Sequence, residues 1–294
     1  MRSLKISTEQ LAKICGVSQG TVDRALNGRR GINEKTKQKI IDTAVKYGYR
    51  PCSEKTLKHV GIIVFNLNNE YLTELVSSLE DKLFQTGYTA TVMLSHYDKN
   101  REIECIKKLY SSGVDGIILC SNNSGNDFIR FISGLNIPVF WVGKKIDGMP
   151  YVGINDFAAM KDMTCHVLNQ KYKQIIYFSP ALTYSDAYAQ KQRFSGFMAG
   201  LSDFSDYSVV TDFEQIKTNY DKNTAIICST DYYALKVYFK GVSADVFGFD
   251  NIKMLEEYSL PIHSVDYSVK EIADKAVEAL FSNQSDDTIV SHRI

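Results

Sequence analysis

The sequence predicts an α/β protein in two unequal parts, a basic head of three short helices and a larger acidic body of parallel sheets flanked by helices. Three observations carry that expectation. Charge is divided: residues 1–58 hold 13 Lys and Arg against 5 Asp and Glu, a net of +8, and the remainder nets −8 although the chain as a whole is neutral. The first fifty residues contain three helix-capping sequences punctuated by glycine. From Val60 onward, short apolar runs alternate with amphipathic stretches. The 294 residues suffice for roughly two domains, and 44% hydrophobic with 23% charged residues is an ordinary globular balance. The longest apolar runs, Val60–Phe65 and Gly116–Cys120, fall short of the roughly 18 residues a membrane helix needs. Lys5, Glu9 and Lys13 interrupt any secretory signal. A cytoplasmic protein with no membrane partner is expected.

The head is justified element by element. Ser7-Thr8-Glu9-Gln10 fits a capping box and opens a helix with Leu11 and Ile14 on its inner face. Gly16 can take the positive φ that stops this helix and turns the chain. Ser18 caps a second helix through about Leu26, closed by Asn27-Gly28, with Val22 and Leu26 on the buried face. Asn33 caps a third, from about Glu34 to Tyr47, with Ile40, Ile41, Ala44 and Val45 inward and Gly48 at its end. Ala12 is small where the first two helices must approach. Three short helices with a tight glycine turn describe a helix-turn-helix. At 100° per residue, Gln19, Gly20, Asp23, Arg24 and Asn27 spread over an arc facing away from Val22 and Leu26. Such an arc is either solvated surface or a set of amide, guanidinium and carboxylate groups able to address base edges in the major groove. The +8 charge favours the second.

The run from Leu11 to Gly28 (LAKICGVSQGTVDRALNG), with Ile32-Asn33-Glu34-Lys35-Thr36 and Tyr47-Gly48-Tyr49-Arg50-Pro51, resembles the headpiece of the LacI/GalR family of bacterial transcription regulators. The resemblance implies a regulator, in the first place a repressor, that binds double-stranded DNA at a pseudo-palindromic operator as a homodimer and responds to a small-molecule effector. It implies that Ser18, Thr21, Asn27 and Thr36 bond phosphates and fix register. Gln19 and Gly20 would form the main base-reading pair, but Gly20 has no side chain, which leaves Arg24 as a bidentate partner for guanine. Asp23, where the family usually has Ser, would accept from cytosine or orient Arg24. The family's short hinge helix, a minor-groove wedge, has little room here: residues 51–58 form a shortened linker without its sequence, and Leu57 is either the sole candidate wedge or the start of the first strand.

In the body, strands are predicted at Val60–Phe65, Thr89–Leu94, Gly116–Cys120, Val139–Val142, Gln174–Phe178, Ala225–Cys228 and Asp245–Phe249. Helices are predicted at about Tyr71–Gln85, Arg101–Ser111, Asp156–Asn169, Asp186–Leu201 and Val269–Phe281. Apolar strands joined by helices are the pattern of parallel sheets buried on both faces. Ligands in such sheets sit beyond the carboxyl ends of the strands. Gly113-Val114-Asp115-Gly116-Ile117-Ile118, Arg193-Phe194-Ser195-Gly196-Phe197 and Val246-Phe247-Gly248-Phe249-Asp250-Asn251 extend the resemblance to the family's two-lobed, periplasmic-binding-protein-like core of type I. It then divides the chain into a head at 1–50, the linker, and a core at 59–294. Lobe 1 covers about 59–155 and 267–284, and lobe 2 about 156–265 and 286–294.

The same resemblance implies the cleft residues. Arg193 would reach ligand hydroxyls or a carboxylate bidentately, or else be a helix-surface Arg. Asp250 ends a strand and would accept two sugar hydroxyls, or cap the next helix. Asp231 matches the acidic half of a usual Asn-Asp pair, with Thr230 in place of Asn. Tyr71 and Phe213 would stack on a ring or simply pack, and Asp266 stands where the family often has Gln. Lys144-Lys145 either draws an anionic ligand or is a solvated loop pair. Glu214–Thr224 is too short for a full helix, and Trp141 reads as core. The six scattered cysteines read as free thiols, and H-E-x-x-H, G-x-x-x-x-G-K-[ST], G-x-S-x-G and G-x-G-x-x-G are absent. No enzyme activity, metal or cofactor is expected. The alternative is a cytosolic small-molecule-binding protein with weakened or lost DNA recognition.

Overall fold

The computed structural model describes residues 7–26, 29, 31–46, 58–146, 148–183, 187–282 and 286–294. The chain divides into two compact units, Met1–Leu57 and Lys58–Ile294. The first contains α1 (Thr8–Cys15), α2 (Gln19–Leu26) and α3 (Glu34–Lys46). The capping box forms as the sequence predicts: Ser7 N–H donates to Gln10 Oε1 at 2.8 Å, and Gln10 N–H donates to Ser7 Oγ at 3.2 Å. Gly16 closes α1 at φ 70°, a conformation that carries no penalty without a Cβ. Leu11, Ala12, Cys15, Val22, Ala25, Ile40 and Ala44 form the core of this unit. Ile14, expected inward, is 46% exposed. It lies 60° of helical rotation to one side of Leu11, whereas Ala12 and Cys15 lie to the other, and the partner helices cover that second side. Leu26 is half-buried; Ala25 takes the inner place beside Val22. Asn27, Gly28, the motif at 47–51 and the linker through residue 57 lie outside the described residues, as does the side chain of Val45.

The second unit contains two six-stranded sheets. The first has the order β11-β5-β4-β3-β1-β2, built from β1 (His59–Val64), β2 (Thr89–Leu94), β3 (Gly116–Leu119), β4 (Val139–Val142), β5 (Tyr151–Ile154) and β11 (Thr288–Val290), all paired in parallel. The second has the order β12-β10-β9-β8-β6-β7. Its strands are β6 (Gln174–Phe178), β7 (Tyr207–Val210), β8 (Thr224–Cys228), β9 (Asp245–Phe249), β10 (Ile262–Tyr267) and β12 (His292–Arg293), the last antiparallel. Helices α4 (Glu70–Gln85), α5 (Lys99–Ser111), α6 (Asn126–Ser133), α7 (Asp156–Asn169), α8 (Tyr188–Leu201), α9 (Asp231–Phe239), α10 (Lys253–Glu257) and α11 (Val269–Phe281) supply the crossovers and cover. A single 3-10 turn, Phe213–Gln215, stands between β7 and β8. Among the described residues the chain passes between sheets three times, after β5, β10 and β11. The expectation that residues 286–294 belong wholly to the second lobe is therefore corrected. Thr288–Val290 adds to β5 of the first sheet, and only His292–Arg293 joins β10.

The predicted strands agree with these within a residue or so; β5, β7, β10, β11 and β12 and helices α6, α9 and α10 are additions. One large apolar cluster joins the inner faces of both sheets to α4, α7, α8 and α11. Trp141 is fully buried among the residues on the other face of the first sheet. The tightest helix pairing is α7 on α8. Gly196 makes it possible, because a Cβ there would run into the carbonyl oxygen of Phe157. On α8 the buried positions Arg193, Gly196, Phe197, Gly200 and Leu201 share one stripe, so the approach of the two helices carries Arg193 toward the start of α7. No helix among the described residues is long and apolar enough to cross a membrane.

Candidate functional site

In each sheet the strand order reverses beside the first strand, between β1 and β3 and between β6 and β8, and crevices open at the carboxyl ends of strands there. A cleft of about 780 Å³ occupies that place. Its first wall comes from the ends of β1 (Phe65, Asn66), β3 (Cys120, Ser121, Asn122) and β4 (Gly143, Lys144), and its second from Asp156, Arg193, Thr230 and Asp250.

Arg193 organises the second wall. Its Nε donates to Asp156 Oδ1 at 2.7 Å, its Nη1 to the Ser229 carbonyl at 2.7 Å, and its Nη2 lies 3.3 Å from Asp250 Oδ1. The guanidinium carbon sits 3.6 Å above the centre of the Phe249 ring. The Tyr267 hydroxyl donates to Asp250 Oδ1 at 2.8 Å, and Tyr71 meets the Tyr267 ring edge-on at 6.0 Å. Asp250 adopts φ 113°, outside the left-handed well, whereas Asn251 at φ 46° is in the left-handed region that asparagine tolerates. Burial pushes the Asp250 carboxyl up to about 7, opposed by Arg193 and reinforced by Asp231 and Asp156. Burial also raises Asp156, again opposed by Arg193. For Arg193, burial works against the charge, but Asp250 and Asp156 outweigh it and keep the group protonated. One guanidinium between two carboxylates thus presents both donors and acceptors in a place shielded from water.

On the first wall, buried Glu102 accepts from Ser121 Oγ (2.5 Å), Asn123 Nδ2 (2.9 Å) and Asn122 N–H (3.2 Å). Lys144, offered above as half of a solvated pair, is buried instead. Its Nζ donates to the carbonyls of Asn122 and Asn123 at 3.2 and 3.1 Å, whereas Lys145 reaches Asp287 at 2.6 Å. Burial pushes the Cys120 thiol up to about 12, which keeps it an unreactive neutral group. Among the described residues no cluster of three or more His, Cys, Asp or Glu could hold a metal ion.

Of the six expected effector residues, Tyr71, Arg193 and Asp250 line the cleft. The other three stand elsewhere. Asp231 is fully buried and fastens α9 to the segments around it, accepting from Ser264 Oγ at 2.7 Å and Ile252 N–H at 3.0 Å. Phe213 packs on Phe178 beneath Lys240 and borders a separate shallow apolar groove. Asp266 faces the opposite way from Tyr267 and accepts from Arg293 Nη2 at 2.5 Å. Neighbouring residues of a strand point to opposite faces, so the cleft position belongs to Tyr267. Sequence reasoning missed Asp156 and Tyr267. The available signal was an acidic residue opening a helix straight after a short strand, and the alternation along β10.

In the head, Ser18, Gln19, Gly20 and Arg24 are exposed, and Thr21, Asp23 and Thr36 half-buried. Ser18 Oγ accepts from Thr21 N–H at 3.2 Å and shares a 2.8 Å hydrogen bond with the Thr21 hydroxyl. Arg24 Nε donates to the Gly20 carbonyl at 3.1 Å, and Asp23 pairs with Arg29 at 3.1 Å. The polar arc of α2 therefore faces away from the core of its own unit.

Residues 57–229 match the family described as periplasmic binding proteins and sugar binding domain of LacI family. Among curated relatives, the chain is 24% identical to the HTH-type transcriptional repressor PurR of Mannheimia succiniciproducens, covering 93% of this chain and 90% of that one. It is 25% identical to catabolite control protein A of Priestia megaterium, covering 98% and 95%. Among solved structures, the lac repressor dimer bound to operator and the anti-inducer ONPF superposes with a TM-score of 0.77 at 16% identity, covering 99% of this chain and 98% of that one. A periplasmic binding protein/LacI transcriptional regulator from Alkaliphilus metalliredigens, complexed with D-xylulofuranose, gives 0.68 at 20% identity over 81% and 97%. With more than half its length matched by the family model and a two-sheet core of the same kind, this chain belongs to the family of periplasmic binding proteins and LacI-type sugar-binding domains.

Proposed function

We propose that the protein is a transcriptional regulator, acting as a repressor, whose head binds operator DNA and whose cleft binds a small polyhydroxylated effector of the sugar class. The observation that carries the reading is the Arg193 cluster at the strand ends, a shielded set of donors and acceptors of the kind that sugar hydroxyls engage pairwise. In the head, Gln19 and Arg24 would address base edges, and Ser18, Thr21, Asn27 and Thr36 phosphates. Two heads on a homodimer would meet half-sites about one helical turn apart. Regulation follows if the effector binds the DNA-competent and DNA-incompetent arrangements with different affinities. The repressor names of the curated relatives support this reading. The test is fluorescence anisotropy of the full chain on its own promoter, with a salt series and a panel of sugars. Sequence-selective binding that weakens steeply with salt and shifts with one of the sugars is the expected result. Binding equally weak to all sequences, with sugar binding retained, would instead identify a solute-binding protein whose DNA recognition has decayed.

A further inference from the structure

The cleft is larger than the Arg193 cluster requires. Its volume lies in the upper part of the roughly 300–1,000 Å³ range of pockets that hold drug-sized ligands, and a single sugar ring is much smaller than those. Among the lining residues not used by that cluster are those at the ends of β1 and β2, Phe65, Asn66 and Tyr97. Past β2 the ladder continues for two residues, Ser95 N–H donating to the Val64 carbonyl at 2.9 Å and His96 N–H to the Phe65 carbonyl at 2.8 Å. The backbone then reverses through two consecutive left-handed residues, His96 at φ 51° and Tyr97 at φ 61°. Neither is glycine, so both hold a disfavoured conformation. Its effect is to lay the Tyr97 ring flat on Phe65, with centroids 4.8 Å apart and planes within 11°. Tyr97 remains 57% exposed, contributes to none of the apolar clusters of the core, and borders the cleft together with Asn66, Asn68 and Asn122. One face of the ring is covered by Phe65 and much of the rest is exposed in a cleft that these asparagines also line, and strain of this kind clusters where a ligand uses it.

We propose that Tyr97 is the platform of an outer subsite, so that the effector is a compound of two linked rings, one held by the Arg193 cluster and the other stacked on Tyr97. The second ring needs a flat face for the tyrosine and a polar rim for the carboxamides, a chemistry shared by a glycosyl unit and a nucleobase. The inference rests on the proposed reading of the cleft and adds a requirement to it.

The experiment is titration calorimetry of the full chain with single-ring compounds (glucose, fructose, galactose, ribose) and two-ring compounds (cellobiose, sucrose, lactose, adenosine). The wild type and the variants Tyr97→Phe and Tyr97→Asn are compared; asparagine tolerates left-handed backbone, so the second removes the ring without disturbing the turn. The expected result is a two-ring compound bound at least tenfold more tightly than its single-ring part. Tyr97→Phe should stay within about threefold of the wild type. Tyr97→Asn should drop to single-ring affinity with an unchanged melting temperature. A disaccharide or a nucleoside as the tight ligand identifies the source of the second ring. Equal affinity for one and two rings, or full two-ring affinity in Tyr97→Asn, overturns the outer subsite and leaves the cleft reading standing. No binding of any compound to the wild type overturns that reading, and the subsite with it.

Discussion

Replacing Arg193 with methionine tests the electrostatic logic of the cleft directly. The side chains of Arg193, Asp156 and Asp250 are 8%, 7% and 5% exposed, so the substitution leaves two buried carboxylates without the cation between them. Removing one partner of a buried pair costs about 3–5 kcal/mol. Methionine keeps the apolar contact with Phe249, so the loss falls on the two ion pairs and on the hydrogen bond to the Ser229 carbonyl. The loss must also depend on pH, and the sign follows from the direction of the shifts. Asp250 already titrates near 7 and Asp156 is raised in the folded protein, and both rise further without the guanidinium. A carboxyl whose folded pKa lies above its unfolded value favours the fold at low pH and withdraws that support as pH rises through the folded value. The slope reaches about 1.4 kcal/mol per pH unit for each proton involved. In a domain of this size each kcal/mol moves the midpoint by about 2–4 °C. Arg193→Met should therefore lower the melting temperature on the order of 10 °C at pH 8 and clearly less at pH 5, read by circular dichroism. Adding Asp250→Asn should restore part of the loss by removing one orphaned charge. An equal drop at both pH values, or a drop under about 2 °C, would refute the account.

Three further outcomes are expected. Affinity for a hydroxyl-bearing ligand should fall as pH drops through about 7, because protonating Asp250 removes an acceptor; Asp250→Asn should flatten that profile in titration calorimetry. Gly196→Ala should destabilise the core by about 3 kcal/mol in urea unfolding, since the new methyl overpacks the α7–α8 contact against main chain that cannot yield. In a binding selection on random duplexes, Arg24→Ala should relax sequence preference by about 1–3 kcal/mol at one base pair. Thr21→Ala should weaken binding to all sequences alike.

Much of the molecule is written in short-range chemistry. The capping box at Ser7, the left-handed turn at Gly16, the strands at Thr89–Leu94 and Asp245–Phe249 and the helix Val269–Phe281 each depend on residues within one or two turns of each other, and the sequence determines them alone. Family membership is legible for the same reason, because motifs such as Arg193-Phe194-Ser195-Gly196-Phe197 are contiguous. The site is not contiguous. Tyr71, Asp156, Arg193, Asp250 and Tyr267 converge from five separate elements. Only the packing of α7 on α8 and the register of β10 decide that Asp156 joins Arg193 and that Tyr267, rather than Asp266, turns inward. A one-residue step along a strand reverses the face a side chain occupies; the alternation along β10 puts Tyr267 and Asp266 on opposite faces, but which of those faces meets the cleft is decided by the rest of the fold.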